Sequence, residues 1–150
     1  AQVIVVDNYD SNRLGVEELG RQYPEEFLFT GSYAGVDGID FTKPAPDLVV
    51  LDLRLGRQDE VATPHIPRLV EWGARVVVHT SEERPVTLRR AIAAGASGLS
   101  LKQDGNEALR QVLLEVHETG LATATLTARA LLDELALLSP QTLAARVTLS

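Results

Sequence analysis

Asp7, Asp52, Thr80 and Lys102 each close a short apolar run, and together they could carry out phosphoryl chemistry. The runs are Val3-Ile4-Val5-Val6, Leu48-Val49-Val50-Leu51, Val76-Val77-Val78-His79 and Gly98-Leu99-Ser100-Leu101. A carboxylate can attack phosphorus as a nucleophile, and a second acid can hold a hard metal ion. A hydroxyl and an ammonium can then bind the oxygens of the transferred group. The four side chains suit an aspartyl phosphate, provided that the fold gathers the ends of the runs in one place.

Short β-branched runs separated by helical stretches predict parallel strands of an α/β sheet, in which ligands collect at the carboxyl ends of the strands. The first strand is predicted over residues 3–7. Val16, Leu19 and Tyr23 recur at helical spacing over 11–23, and Pro24 stops that helix. Residues 26–30 read as the second strand. Residues 31–46 hold Gly31, Gly35, Gly38, Pro44 and Pro46 with little helical periodicity, so a helix there should be short or distorted. The third strand follows over 48–52 and a polar loop over 55–63. Ile66, Leu69 and Val70 mark a helix ending near Trp72-Gly73. The fourth strand is predicted over 75–80. Ser81 is expected to cap the next helix, with Glu82 and Glu83 in its first turn, Pro85 tolerated there and Gly95 as the stop after Ala94. The fifth strand covers 98–101. Leu109, Val112, Leu113 and Val116 give the most regular amphipathic helix, stopped at Gly120. Five strands alternating with helices predict a doubly wound sheet.

The composition narrows the possibilities. With 150 residues, 45% of them hydrophobic, the chain is long enough for one domain with a full core. A net charge of −7 makes it a poor DNA binder by itself. The absence of cysteine excludes disulfides and thiolate metal sites and fits a cytoplasmic protein. No apolar run approaches a membrane span, no signal peptide is visible, and the missing initiator Met suggests a trimmed or partial chain. The scattered glycines form no P-loop or dinucleotide fingerprint, which argues against a flavodoxin-like enzyme or flavin binder.

The motifs VIVVDNYDSNRLG, DLVVLDLRLG, VVVHTS and AAGASGLSLK stand in register over roughly residues 3–118. On these the chain resembles the CheY-like receiver domain of two-component response regulators, in the NarL/LuxR-type subgroup of transcriptional regulators. The resemblance implies a flavodoxin-like (βα)5 fold with strand order 2-1-3-4-5 and a signalling role, not an enzymatic one. It divides the chain into a receiver over 1–120 and a helical linker over 121–150, where Leu131, Leu132, Leu135 and Leu138 form an apolar stripe. That linker would lead to a helix-turn-helix domain absent or truncated here. The resemblance makes Asp52 the phosphoacceptor of a sensor histidine kinase and Thr80 and Lys102 the phosphoryl-binding switch pair. Asp7, Asn8, Asp52 and the backbone carbonyl of Arg54 become the Mg²⁺ ligands. It further implies a homodimer controlled through the face of the fourth helix, fifth strand and fifth helix, with DNA contacted only through the absent domain and no membrane partner.

Several positions depart from the family pattern. Asn8 stands where a second metal-holding acid is usual, which removes one negative charge and should weaken Mg²⁺ and slow phosphorylation. Leu99 stands where an aromatic residue usually moves with the switch hydroxyl. Gln103 replaces a common Pro, Gly56-Arg57 replaces Pro-Gly, and Arg54 and Arg57 bring positive charge near Asp52. An atypical receiver is therefore the alternative: a dimerisation, ligand-binding or protein-binding module that works without phosphorylation. Plainer readings stand beside each site residue. Asp52 could be an acid ending a strand at a turn, Asp7-Asn8 a polar turn, Thr80-Ser81 a helix cap and Lys102 a surface lysine. His79, inside an apolar strand, reads as a buried neutral histidine. His65 and His117 lack partners at ligand spacing.

Overall fold

The computed structural model describes residues 1–54, 61–82 and 84–122. Most of the linker expected over 121–150 lies outside these residues, as do Gly56, Arg57 and Glu83. Five parallel strands, β1 (Gln2–Val6), β2 (Leu28–Tyr33), β3 (Leu48–Leu51), β4 (Arg75–Thr80) and β5 (Gly98–Leu101), form one sheet. Their order is β2-β1-β3-β4-β5, the order 2-1-3-4-5 expected of the flavodoxin-like fold. Four helices, α1 (Asp10–Gln22), α2 (Ile66–Trp72), α3 (Pro85–Ala93) and α4 (Gly105–Thr119), cover its faces.

The central strands are apolar runs with both faces buried, apart from the exposed Gln2 and Arg75 that open β1 and β4 and the polar His79 and Thr80 that end β4. Alternation along each strand divides their side chains between two cores. Val3, Val5, Leu48, Val50 and Val77 pack with Val16 and Leu19 of α1 and with Leu109, Leu113 and Val116 of α4. Ile4, Val6, Val49, Leu51, Val76 and Val78 pack with Ile66 and Leu69 of α2 and Ala91 of α3. The absence of a side chain at Gly98 lets α4 close on β5. A Cβ there would meet Val112 Cγ1 at 2.7 Å and Val116 Cγ2 at 3.1 Å.

Between β2 and β3 the chain makes only a 3-10 turn, Val36–Gly38, as the glycines and prolines of that segment predict. Phe41 and Trp72 meet edge to face at 5.0 Å beside it, and Arg68 lies 4.0 Å over the Phe41 ring. The Trp72 indole N–H donates to the Lys43 carbonyl at 2.8 Å.

Three local expectations need correction. The second strand begins at Leu28 and runs on to Tyr33. Residues 24–26 are a turn after Pro24, and a register shift opposite Val3 and Ile4 carries the pairing through Gly31. As an edge strand joined only to β1, β2 tolerates the Gly-Ser sequence there. The helix after β4 starts at Pro85, not at Ser81. A residue before proline is pushed away from helical geometry, and Arg84 is extended at φ −65°, ψ 121°. Residues 81, 82 and 84 therefore lie outside the helix, and Pro85 opens α3. Val70, placed on the apolar stripe of α2, is 42% exposed, because seven residues give that helix a narrow buried face.

Candidate functional site

Asp7, Asp52, Thr80 and Lys102 follow or close the carboxyl ends of β1, β3, β4 and β5, so the parallel sheet delivers them to one edge. Three of them turn the chain as they leave the strand. Asp7 Oδ1 accepts from Tyr9 N at 3.0 Å, Asp52 Oδ1 from Arg54 N at 3.2 Å, and Thr80 Oγ1 from Glu82 N at 3.1 Å. Each is a side-chain bond to the backbone two residues on, the Asx- or Ser/Thr-turn geometry. The turn reading and the pocket reading of these residues are thus compatible, since one carboxylate oxygen serves the turn and the other is free to point inward.

The inward oxygens share one cation. Lys102 Nζ lies 2.8 Å from Asp7 Oδ2 and 2.9 Å from Asp52 Oδ2. Both aspartates are buried, at 2% and 5% exposure, so charge there must be paired. Burial by itself would lower the Lys102 pKa, but the hydrogen bonds and charges of Asp7 and Asp52 outweigh it and hold the ammonium above its ordinary value. Two carboxylates against one ammonium leave the trio with one net negative charge. Asn12 Nδ2 also reaches Asp7 Oδ1 at 3.3 Å, and Arg13 donates to the Asp7 carbonyl at 2.5 Å while pairing with Asp10. These bonds fix the turn from β1 into α1.

A second charged cluster was not foreseen from the sequence. Glu82 is buried at 3% exposure, and its carboxylate accepts from both Arg54 and Arg84. Arg84 N adds a backbone bond at 2.8 Å. The bonds from Arg84, opposed by burial and helped by Arg54, pull the Glu82 pKa down to about 2. The cluster ties the loop after β3 to the loop after β4, so Arg54 leans on Glu82 and does not stand as an unpaired charge beside Asp52. Nothing in periodicity could reveal a bond between residues 28 apart. The sequence carries only the local half of the cluster, Arg84 two residues after Glu82.

His79 lies next to the pocket as the buried histidine expected. Its Nδ1 is 3.3 Å from Ser100 Oγ. Burial, reinforced by the charge of Lys102, lowers its pKa to about 4, so it is neutral near pH 7. Leu99 pairs in register with Val78 and packs half-buried against the core under α2 and α3. No group of three or more His, Cys, Asp or Glu at metal-binding spacing occurs among the described residues. Two buried carboxylates remain as hard oxygen donors. That number suits Mg²⁺, which usually keeps several waters and takes one or two carboxylates together with phosphate oxygens.

No protein-family model matches the chain, and no curated protein does. Solved structures do match. The signal receiver domain of response regulator NarL from Mycobacterium tuberculosis superposes with a TM-score of 0.61 at 22% identity, covering 79% of this chain and 96% of that one. A LuxR-family two-component response regulator from an Aurantimonas species gives a TM-score of 0.71 at 23% identity, over 87% of this chain and 95% of that one. The isolated receiver domain of RcsB from Salmonella enterica serovar Typhimurium, solved in the presence of the phosphomimetic BeF3−, gives 0.67 at 18% identity, over 79% and 88%. No helix among the described residues is long and apolar enough to cross a membrane. Strand order, the position of the pocket at the carboxyl edge and these superpositions agree that the chain has the receiver fold of LuxR-family response regulators.

Proposed function

We propose that this chain is the signal-input domain of a two-component transcriptional regulator, phosphorylated on Asp52 by a sensor histidine kinase. The observation that carries this reading is the Lys102 ammonium held between the Asp7 and Asp52 carboxylates at 2.8 and 2.9 Å. A structural salt bridge needs one acid; two acids converging on one lysine make a pocket for a group with several oxygens.

In the proposed reaction an Asp52 oxygen attacks the phosphorus of a phosphohistidine. The new P–O bond forms as the P–N bond breaks, and the imidazole leaves with the electron pair. Lys102 then exchanges a carboxylate oxygen for a phosphoryl oxygen and keeps a charge-assisted bond throughout. The Thr80 hydroxyl, whose oxygen accepts from Glu82 N, keeps its own proton to donate to the phosphoryl group. Mg²⁺ would be held by Asp7 and Asp52, with Asn8 and the Arg54 carbonyl as neutral oxygen donors, and would offset phosphoryl charge. The face of α3, β5 and α4 would pass the change to a homodimer contact, and DNA binding would belong to a separate helix-turn-helix domain.

A second reading has its own support. Leu99 occupies an aliphatic core position beside Val78, and Asn8 removes one acid. An atypical receiver without a phosphorylation switch would use the same fold as a dimerisation or ligand-binding module. Intact-mass measurement after incubation with acetyl phosphate and Mg²⁺ separates the two. A phosphoryl adduct on the native chain that is lost in Asp52→Asn supports the switch. A folded chain that gives no adduct supports the atypical module.

A further inference from the structure

Glu82 takes no part in the phosphoryl chemistry proposed for Asp52, yet its carboxylate is buried and fully engaged. Arg54 donates to Oε2 through Nε at 3.2 Å and Nη2 at 2.7 Å. Arg84 donates through its backbone N–H at 2.8 Å and through its guanidinium at 2.7 and 2.9 Å. Burying an ion cluster brings little net stability, because desolvation offsets the attraction. The use of this one lies in what it ties together. Arg54 N donates to Asp52 Oδ1, and Glu82 N donates to Thr80 Oγ1. The turn of Asp52 and the turn of Thr80 therefore both lead to Glu82, one through the Arg54 side chain and the other through the Glu82 backbone. On the far side, Arg84 is the last residue before α3, which Pro85 opens.

A slack loop absorbs a displacement at one end, whereas a loop braced by charge-assisted bonds passes it on. Between Thr80 and α3 the brace is Glu82. The aromatic side chain that usually moves with the switch hydroxyl is missing, and Leu99 in its place packs against the core under α2 and α3. We propose that Glu82 is the positioning residue that carries the arrival of a phosphoryl group at Asp52 to α3. As the Thr80 hydroxyl turns to the phosphoryl oxygens, the Glu82 N–H follows it or loses its acceptor. As the Asp52 turn adjusts, the Arg54 guanidinium moves with it. Both displacements reach one carboxylate, which Arg84 holds against the start of α3. The inference rests on phosphorylation of Asp52 and names the route by which the change leaves the site.

The test is nitrogen-15 amide NMR of the whole chain, titrated with beryllium fluoride and Mg²⁺ as a mimic of the phosphoryl group. Two sets of amides are read separately, Leu53 and Arg54 beside Asp52 and residues 86–91 of α3. In the native chain both sets should shift along one saturation curve. In Glu82→Gln the set beside Asp52 should saturate within about two-fold of the native concentration. The α3 response should fall about three-fold, within the range by which one residue of a network modulates coupling. Arg84→Gln alters a partner whose side chain is 64% exposed and leaves the buried carboxylate in place, so it serves if Glu82→Gln does not fold, and it should show the same split. A merely structural role would weaken both sets together. That outcome overturns the inference, as does a full α3 response in the folded variant. A native chain that responds beside Asp52 but not in α3 overturns the inference and leaves the phosphorylation reading standing. A native chain with no response in either set overturns the phosphorylation reading, and the inference falls with it.

Discussion

Lys102 and Asp52 stand 50 residues apart in sequence, and their Nζ and Oδ2 atoms stand 2.9 Å apart in the folded chain. The same ammonium lies 2.8 Å from Asp7 Oδ2. Two buried acids at the ends of different strands are therefore tolerated only through a third element that delivers one cation. That dependence has measurable consequences.

Lys102→Met leaves Asp7 and Asp52 without their shared counter-charge. Near neutral pH the variant should lose about 1–3 kcal/mol of stability, the cost of uncompensated buried acids. The native chain, whose folded Lys102 pKa is raised, keeps the contribution below the ordinary lysine value of 10.5 and loses it as pH climbs above that. Urea denaturation at neutral and alkaline pH checks this. A deficit of constant size at every pH would mean that lost packing, not charge, is responsible.

Asn8→Asp restores an acid next to Asp7. If Mg²⁺ sits at this edge of the sheet, its affinity should rise about ten-fold, with hard-cation binding tracking the count of anionic oxygens. Titration calorimetry on both chains reads this directly. An unchanged affinity would remove residue 8 from the cation's surroundings.

His79 makes stability depend on pH between its two titration points. Its folded pKa is lowered to about 4 by burial and then by Lys102, against the raising influence of Asp52, Asp7 and the Ser100 hydrogen bond. The unfolded chain takes up this proton near 6.5, so the contribution is complete above that pH and is lost as pH falls toward 4, by roughly 3 kcal/mol in all. His79→Gln keeps polar atoms but does not titrate. Its stability curve between pH 6.5 and 5 should be flatter than that of the native chain, and parallel curves would show that His79 is not the source of the slope.

Gly98→Ala tests the close approach of α4 to β5. The new Cβ would lie 2.7 Å from Val112 Cγ1, inside any real contact, so the helix must shift or the valine must change rotamer. A loss of about 1–3 kcal/mol is expected, the usual cost of overpacking. The paired variant Gly98→Ala with Val112→Ala should recover part of it in thermal denaturation.

The strands over 75–80 and 98–101 were readable to the residue, because β-branched runs bounded by Gly and polar residues leave little choice of boundary. The four strand-end residues were readable for the same reason, since a parallel sheet places every carboxyl terminus on one edge. Elements governed by neighbours in space were not. The start of β2 depends on its pairing with β1, and the start of α3 depends on a proline that forces Arg84 out of helical geometry. The Glu82 cluster depends on two loops meeting, which no local spacing records.

The segment between β2 and β3 has a 3-10 turn where a full helix could stand, and Trp72 is the only tryptophan of the chain. The indole hangs on this segment, through the Lys43 carbonyl and the Phe41 ring. Intrinsic fluorescence is therefore a local gauge of whether that corner is docked, while circular dichroism follows the helices. With few backbone bonds of its own, the corner is suited to open ahead of the rest. A fluorescence melting curve that runs ahead of the dichroism curve would be the signature of that early opening, and a single optical probe would misreport the stability of this domain.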